Sequence, residues 1–239
     1  MIQFYCPDIE SLPVLPESDS NHAVRVLRMQ EGDTLQVIDG KGHAFDCRLV
    51  AAHPKKAALE IINKRDMPLP WDYHITVAVA PTKSMDRMEW MVEKLTEIGI
   101  NRIVPLRCEH SERKEIKTER LEKVAIAAMK QSLKSVLPRI DEMTPIKTFL
   151  SQPHNGEKFI AYCDDIYQRQ ELACRYQAGQ SATILIGPEG DFAPKEITAA
   201  VDAGFLPITL GPNRLRTETA ALAAVQTCHI LSLAAQCGQ

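Results

Sequence analysis

Two segments near the end of the chain carry the residue types that chemistry needs. Ile184-Leu185-Ile186 runs into Gly187-Pro188-Glu189-Gly190. Further on, Leu210-Gly211 leads through Pro212-Asn213-Arg214-Leu215 into Arg216-Thr217-Glu218-Thr219-Ala220. Each is an apolar, strand-like run ending in glycine, so two backbones can approach a ligand that a Cβ would hold away. That is the geometry of a cofactor pocket. It is not a familiar phosphate loop: the chain has no Walker lysine motif, and Gly187-Pro188-Glu189-Gly190 does not fit G-x-G-x-x-G. A serine-hydrolase triad lacks its G-x-S-x-G elbow. His110 and His229 read as structural histidines.

A second constellation lies near the front. His22, Arg25 and Arg28 fall three apart, which on a helix places them along one face. They read either as a phosphate-gripping row or as solvated charges on an amphipathic helix, and spacing alone favours the solvated face. Charge is unevenly spread: residues 1–72 hold eight Lys/Arg against eleven Asp/Glu, whereas 83–139 hold thirteen against nine. Basic surface is therefore local, and i,i+4 pairs such as Glu119–Lys123 account for much of it.

The seven cysteines form no C-x-x-C pair, which reads as reduced thiols in mostly apolar contexts, with no metal and no disulfide framework. The first residues lack a basic segment followed by a long apolar one, and the longest apolar stretch, Ala220 to Ala235, is broken by Gln226, Thr227 and His229. The expectation is a cytoplasmic protein with no membrane segment.

The elements that must position these residues fall into two blocks. Before Lys64-Arg65-Asp66-Met67-Pro68-Leu69-Pro70 the pattern is β-rich: Thr34–Ile38 leads into an Asp39-Gly40 turn, and 43–50 and 57–62 read as further strands. This predicts a small barrel over residues 1–70, interrupted by one helix capped at Ser20-Asn21 and finished before Gly32. Residues 71–239 alternate strands and helices, the pattern of an α/β domain with a mostly parallel sheet. Strands are expected at 75–80, 102–105, 158–163, 183–186 and 207–210. Helices are expected at 85–98, at 118–136, from Pro194 to Gly204, and at 219–235.

Taken together, Ile186-Gly187-Pro188-Glu189-Gly190-Asp191-Phe192, Leu210-Gly211 through Leu215-Arg216-Thr217-Glu218-Thr219-Ala220, Lys94-Leu95-Thr96-Glu97-Ile98-Gly99 and Gln131 closely resemble the RsmE family of SPOUT methyltransferases. His22-Ala23-Val24-Arg25-Val26-Leu27-Arg28 and Gly32-Asp33 are similar to that family's PUA-like RNA-binding domain. Two departures stand out: Asp191 where a third glycine is common, and Lys134 where an arginine is common.

The resemblance implies a PUA-like β-barrel followed by an α/β SPOUT domain with a C-terminal trefoil knot, assembled as a homodimer. It implies S-adenosyl-L-methionine as cofactor and N3 of a uridine in small-subunit (16S) ribosomal RNA as methyl acceptor, with the small ribosomal subunit as partner. A related enzyme acting on transfer RNA and a non-catalytic ribosome-assembly protein are the other readings.

Residue by residue, cofactor binding is carried to Leu185, Ile186, Gly187, Glu189, Gly190, Leu210, Gly211, Leu215, Arg216 and Thr219. The glycines are expected to clear space for the ligand. RNA binding is carried to His22, Arg25 and Arg28 and to Arg113, Lys114 and Lys134 on the catalytic domain. Catalysis falls to Arg216 and Glu218. Arginine stays protonated and can stabilise developing charge or hold a phosphate, while Glu218 positions it or takes the proton.

Overall fold

The computed structural model describes residues 2–237. They divide into two compact units, one of residues 1–70 with 126–137 and the other of residues 71–125 with 138–239. Residues 126–137 return to the first unit, which assigns Lys134 there rather than to the second unit where it was expected.

In the first unit, β1 (Gln3–Tyr5), β2 (Thr34–Ile38), β3 (His43–Ala51) and β4 (Ala58–Asp66) form one sheet in that order. The β2–β3 turn forms because Asp39 Oδ1 accepts from the amides of Lys41 (2.7 Å) and His43 (3.1 Å), and Gly40 supplies the positive φ of 76°. Inward residues Phe4, Val37, Phe45, Cys47, Leu49 and Leu59 make the core.

Among the described residues no β1–β4 ladder closes the expected barrel. Instead Pro13–Leu15 stitches the start of β4, through the Val14–Ala58 bridge and the Leu15 N→Ala57 O bond of 2.9 Å.

The helix expected to start at Ser20 begins earlier, as α1 (Glu17–Asn21), and continues as a π-helical turn over His22–Val26. Ser20 is no cap. Its buried hydroxyl donates to Leu15 O (2.8 Å) and accepts from Ala57 N (3.0 Å). The wider turn ends at Leu27, and Arg28 lies beyond it at φ 57°, so His22, Arg25 and Arg28 do not form an α-helical row.

The second unit is built on β5 (Ile75–Val79), β6 (Arg102–Arg107), β9 (Glu157–Ala161), β11 (Ala182–Ile186) and β12 (Leu206–Thr209). Short strands β7 (Arg139–Ile140), β8 (Thr144–Pro145) and β10 (Gln170–Glu171) flank them, in the order β10-β12-β9-β11-β5-β6-β7 with β8 on β6. Every pairing is parallel. Central strand β11 is buried throughout, as a sheet covered on both faces requires.

Helix α2 (Met85–Ile98) matches its expected bounds. Met88, Met91, Val92 and Leu95 repeat at helical spacing on its buried face. It ends at Gly99 (φ 121°), where a Cβ would collide with the Trp71 ring. Helix α3 (Thr118–Gln131) stops five residues short of its expected end, because Leu133 turns left-handed at φ 55°.

Helices α4 (Ile146–Leu150), α5 (Leu172–Arg175), α6 (Pro194–Asp202) and α7 (Thr217–Cys237) complete the unit. By length and composition α7 is apolar enough to cross a membrane. Its inner positions Ala221, Ala224, Val225 and Cys228 are buried in the unit, which accounts for that hydropathy. On the same side His229 bridges the Tyr73 hydroxyl (2.8 Å) and Gly99 O (2.7 Å), a structural role.

Candidate active site

Strands β12, β9 and β11 are neighbours and all parallel, so the loops leaving their carboxyl ends meet on one edge of the sheet, where open α/β sheets place ligands. There they enclose a cleft of about 890 Å³. One part of its lining is apolar, with Ile186, Ile208, Leu210 and Leu215. Another is charged, with Arg87, Arg169, Glu171, Glu189, Arg216 and Glu218.

Of the residues expected at the cofactor, Ile186, Gly187, Glu189, Leu210, Gly211, Leu215 and Arg216 line this cleft. Leu185, Gly190 and Thr219 do not. The Leu185 side chain is packed into the core with Val104, Leu106 and Ile160, as strand alternation next to Ile186 demands. Thr219 is exposed on the first turn of α7.

At two of the glycines the missing Cβ also serves the protein's own packing. A Cβ on Gly187 would come within 3.1 Å of the Phe192 ring, and one on Gly190 within 3.3 Å of His110 Cβ. Both glycines make room for the protein's own packing. Gly211, at φ 100°, is the one of the three whose missing Cβ opens onto empty space.

The loop after β11 is braced on several sides. Thr217 Oγ1 donates to Gly187 O (3.0 Å), tying the start of α7 to it. Glu189 Oε1 accepts from Lys83 N (3.1 Å). Arg113 clasps the same segment, donating to Thr82 O (3.1 Å) and Lys83 O (2.6 Å), so its guanidinium is engaged by backbone.

Asp191 takes the left-handed conformation itself, at φ 63°. Its side chain accepts from Phe192 N (2.8 Å) and from Cys163 N (2.7 Å), linking the loops after β11 and β9. His110 Nδ1 contacts the carbonyls of Gly190 (3.2 Å) and Asp191 (3.1 Å). On the far side Arg169 donates to Tyr162 O (2.6 Å), and Glu171 accepts from Gly211 N (3.0 Å).

Glu218 is buried in the first turn of α7, its side chain 8% exposed. Its partner is Arg87 of α2, Nε to Oε1 at 3.7 Å, not Arg216, which lies exposed just before the helix and makes no ion pair among the described residues. Arg87 is the site residue that sequence spacing missed. It sits far back in the chain, and only the packing of α2 on α7 brings it to Glu218.

The Oε2 atom of Glu218 and the Tyr162 hydroxyl are both buried without a hydrogen-bond partner. Burial pushes the Tyr162 phenol above its ordinary pKa, so it stays a neutral donor. Of the residues expected at RNA, Arg25, Arg28 and Lys114 are exposed, while His22, Arg113 and Lys134 are half-buried. Among the described residues no group of three or more His, Cys, Asp or Glu is arranged to hold a metal ion.

These features fit S-adenosyl-L-methionine. The apolar slot suits a purine, the cleft volume suits a cofactor of that size, and Glu218 of the lining has a buried oxygen with no hydrogen-bond donor.

Residues 69–229 match the RNA methyltransferase domain family, and residues 15–62 the RNA methyltransferase PUA domain family. The chain is 46% identical to a probable rRNA-methyltransferase from Porphyromonas gingivalis, over 98% of this chain and 100% of that one, with a TM-score of 0.93. It is 27% identical to a ribosomal RNA small subunit methyltransferase E from Neisseria gonorrhoeae bound to S-adenosyl methionine, over 97% and 98%, with a TM-score of 0.84. It is 30% identical to the ribosomal RNA small subunit methyltransferase E of Synechocystis sp., over 93% of this chain and 74% of that one. The glycine-cornered cleft, the two matched domains and these relatives agree: the chain belongs to the ribosomal RNA small subunit methyltransferase E family.

Proposed function

We propose that the enzyme methylates N3 of one uridine in small-subunit (16S) ribosomal RNA, acting on the assembled small subunit with S-adenosyl-L-methionine bound in the cleft. The observation that carries this reading is the buried, half-satisfied carboxylate of Glu218 beside a glycine-cornered apolar slot. When bound, the cofactor supplies an activated methyl group on a positively charged sulfur.

The protein must do the rest. Ile186, Ile208, Leu210 and Leu215 hold the purine, and Gly211 lets backbone come close. Glu171 offers an acceptor at the rim. The N3 position of uridine carries a proton, so its lone pair is free only as that proton leaves, and Glu218 is the carboxylate that receives it. Orientation of the acceptor against the methyl group supplies much of the acceleration. Arg216, exposed at the mouth, holds an RNA phosphate. Arg25, Arg28 and Lys114 add contacts of the same kind, which give affinity without sequence choice.

The wider assembly follows the family resemblance: a C-terminal trefoil knot, a cytoplasmic enzyme and a homodimer. Exposed Trp90 on α2 and Ile230 and Leu233 on α7 are apolar surface suited to a second copy.

Transfer of labelled methyl from S-adenosyl-L-methionine to small subunits lacking the modification tests the reading, with free ribosomal RNA and transfer RNA offered in parallel. Label is expected in the subunits. Label in transfer RNA alone, or none despite cofactor binding, overturns it.

A further inference from the structure

Glu218 and Arg87 are an incomplete pair. Their separation of 3.7 Å is too long for a hydrogen bond but close enough for mutual attraction. The Oε2 atom of Glu218 is buried with no hydrogen-bond partner. The Arg87 side chain is 44% exposed, makes no other ion pair or hydrogen bond among the described residues, and lines the same cleft. An unpaired buried acceptor is costly, and a donor supplied by a bound base would relieve that cost. Glu218, which lines the cleft, thus holds a buried acceptor lacking a donor next to a guanidinium with donors to spare.

That arrangement has a complement. The pairing edge of uracil sets the N3–H donor between two carbonyl acceptors, so an acceptor beside a donor matches it. Cytosine reverses the pattern, with a bare N3 facing the carboxylate and an amino group facing the guanidinium, and would be repelled at both places. We propose that Arg87 and Glu218 together read the target base, Glu218 Oε2 accepting from N3–H and Arg87 donating to the O4 carbonyl oxygen, the one that cytosine replaces with an amino group. The inference rests on the reading of the chain as a uridine-N3 methyltransferase.

The same contacts serve the reaction. The N3–H bond breaks as an O–H bond forms on Glu218, and the new N3–carbon bond forms as the carbon–sulfur bond breaks. The electron pair of that bond stays on sulfur, so the positive charge on sulfur and the negative charge on the carboxylate disappear together. Charge that spreads onto the carbonyl oxygens during transfer meets Arg87, where a donor already in place is worth most.

The test uses Arg87→Met, which keeps the apolar stem, and Arg87→Lys, which keeps the charge without the planar fork. Single-turnover methylation is measured at saturating cofactor, on small subunits carrying either uridine or cytidine at the position the wild type methylates. Cofactor affinity is measured by calorimetry and folding by thermal unfolding.

Arg87→Met is expected to slow transfer to uridine by about 100-fold and Arg87→Lys by about 10-fold, with cofactor affinity within about threefold of wild type. The preference for uridine over cytidine should shrink in both. Should Arg87→Met not fold, Arg87→Lys, which retains the pairing with Glu218, carries the test. A wild-type rate and unaltered base preference in the folded variants would overturn the role of Arg87 alone. Absence of 3-methyluridine from the wild-type reaction would overturn the underlying reading as well.

Discussion

The loops after β11 and β12 face each other across one cleft and are built in opposite ways. Residues 187–192 are pinned by Thr217, Lys83, Cys163 and His110, and Asp191 pays for its left-handed backbone with two side-chain hydrogen bonds. Residues 210–216 are held at their ends, by Glu171 on Gly211 N and by Ala220 N on Arg216 O, while 212–215 make no hydrogen bond among the described residues. One wall is set before any ligand arrives. The other carries few such braces, as binding loops do when they come from the less cross-braced parts of a fold.

The two walls meet at Glu218, and breaking the site there should have the largest effect. Glu218→Gln keeps the shape but removes the proton acceptor. It is expected to lower the single-turnover rate by about 100-fold, with cofactor affinity by calorimetry nearly unchanged. An undiminished rate would place the proton acceptor elsewhere.

Next comes the braced wall. Asp191→Ala leaves a residue with no local hydrogen bonds at φ 63° and cuts the link to Cys163, so it should cost about 2 kcal/mol in denaturant unfolding. Asp191→Gly restores the backbone freedom but not the link and should recover about half of that. Equal losses for both would assign the whole effect to the side-chain link.

On the open wall, Arg216→Ala should raise the RNA concentration for half-saturation by about 10-fold and reduce the salt dependence of binding by about one phosphate contact, without weakening cofactor binding. The smallest effect is expected for Thr217→Val, which removes the bond to Gly187 O and should cost about 1 kcal/mol in thermal or denaturant unfolding.

Much of this arrangement was legible in the residues, and the failures have physical causes. The α/β alternation of 71–239 and the bounds of α2 follow from helical spacing and a terminal glycine, signals that lie next to one another in the chain. Ser20 misled because a serine before an apolar stripe looks like a cap, whereas this hydroxyl is spent inside the unit on Leu15 and Ala57. The early end of α3 was hidden because Leu133 adopts a conformation for which glycine is the usual signal.

Gly187 lines the cleft as expected of a ligand position but also makes room for Phe192, and Gly190, off the cleft, makes room for His110, contacts that depend on where those two side chains come to rest. Asp191 could be read as a departure from the family pattern, but not as a brace. Arg87 left no mark at all, since its meaning depends on a helix contact between distant parts of the chain.

The central claim is that this cleft directs a methyl group to N3 of a uridine in the small subunit. Nucleoside mass spectrometry of small-subunit RNA, after incubation of unmodified subunits with the wild-type enzyme and S-adenosyl-L-methionine, tests it most directly. 3-Methyluridine should form, and only when the cofactor is present. A methyl group on another atom or another nucleoside, or no product from an enzyme saturated with cofactor, would contradict the account.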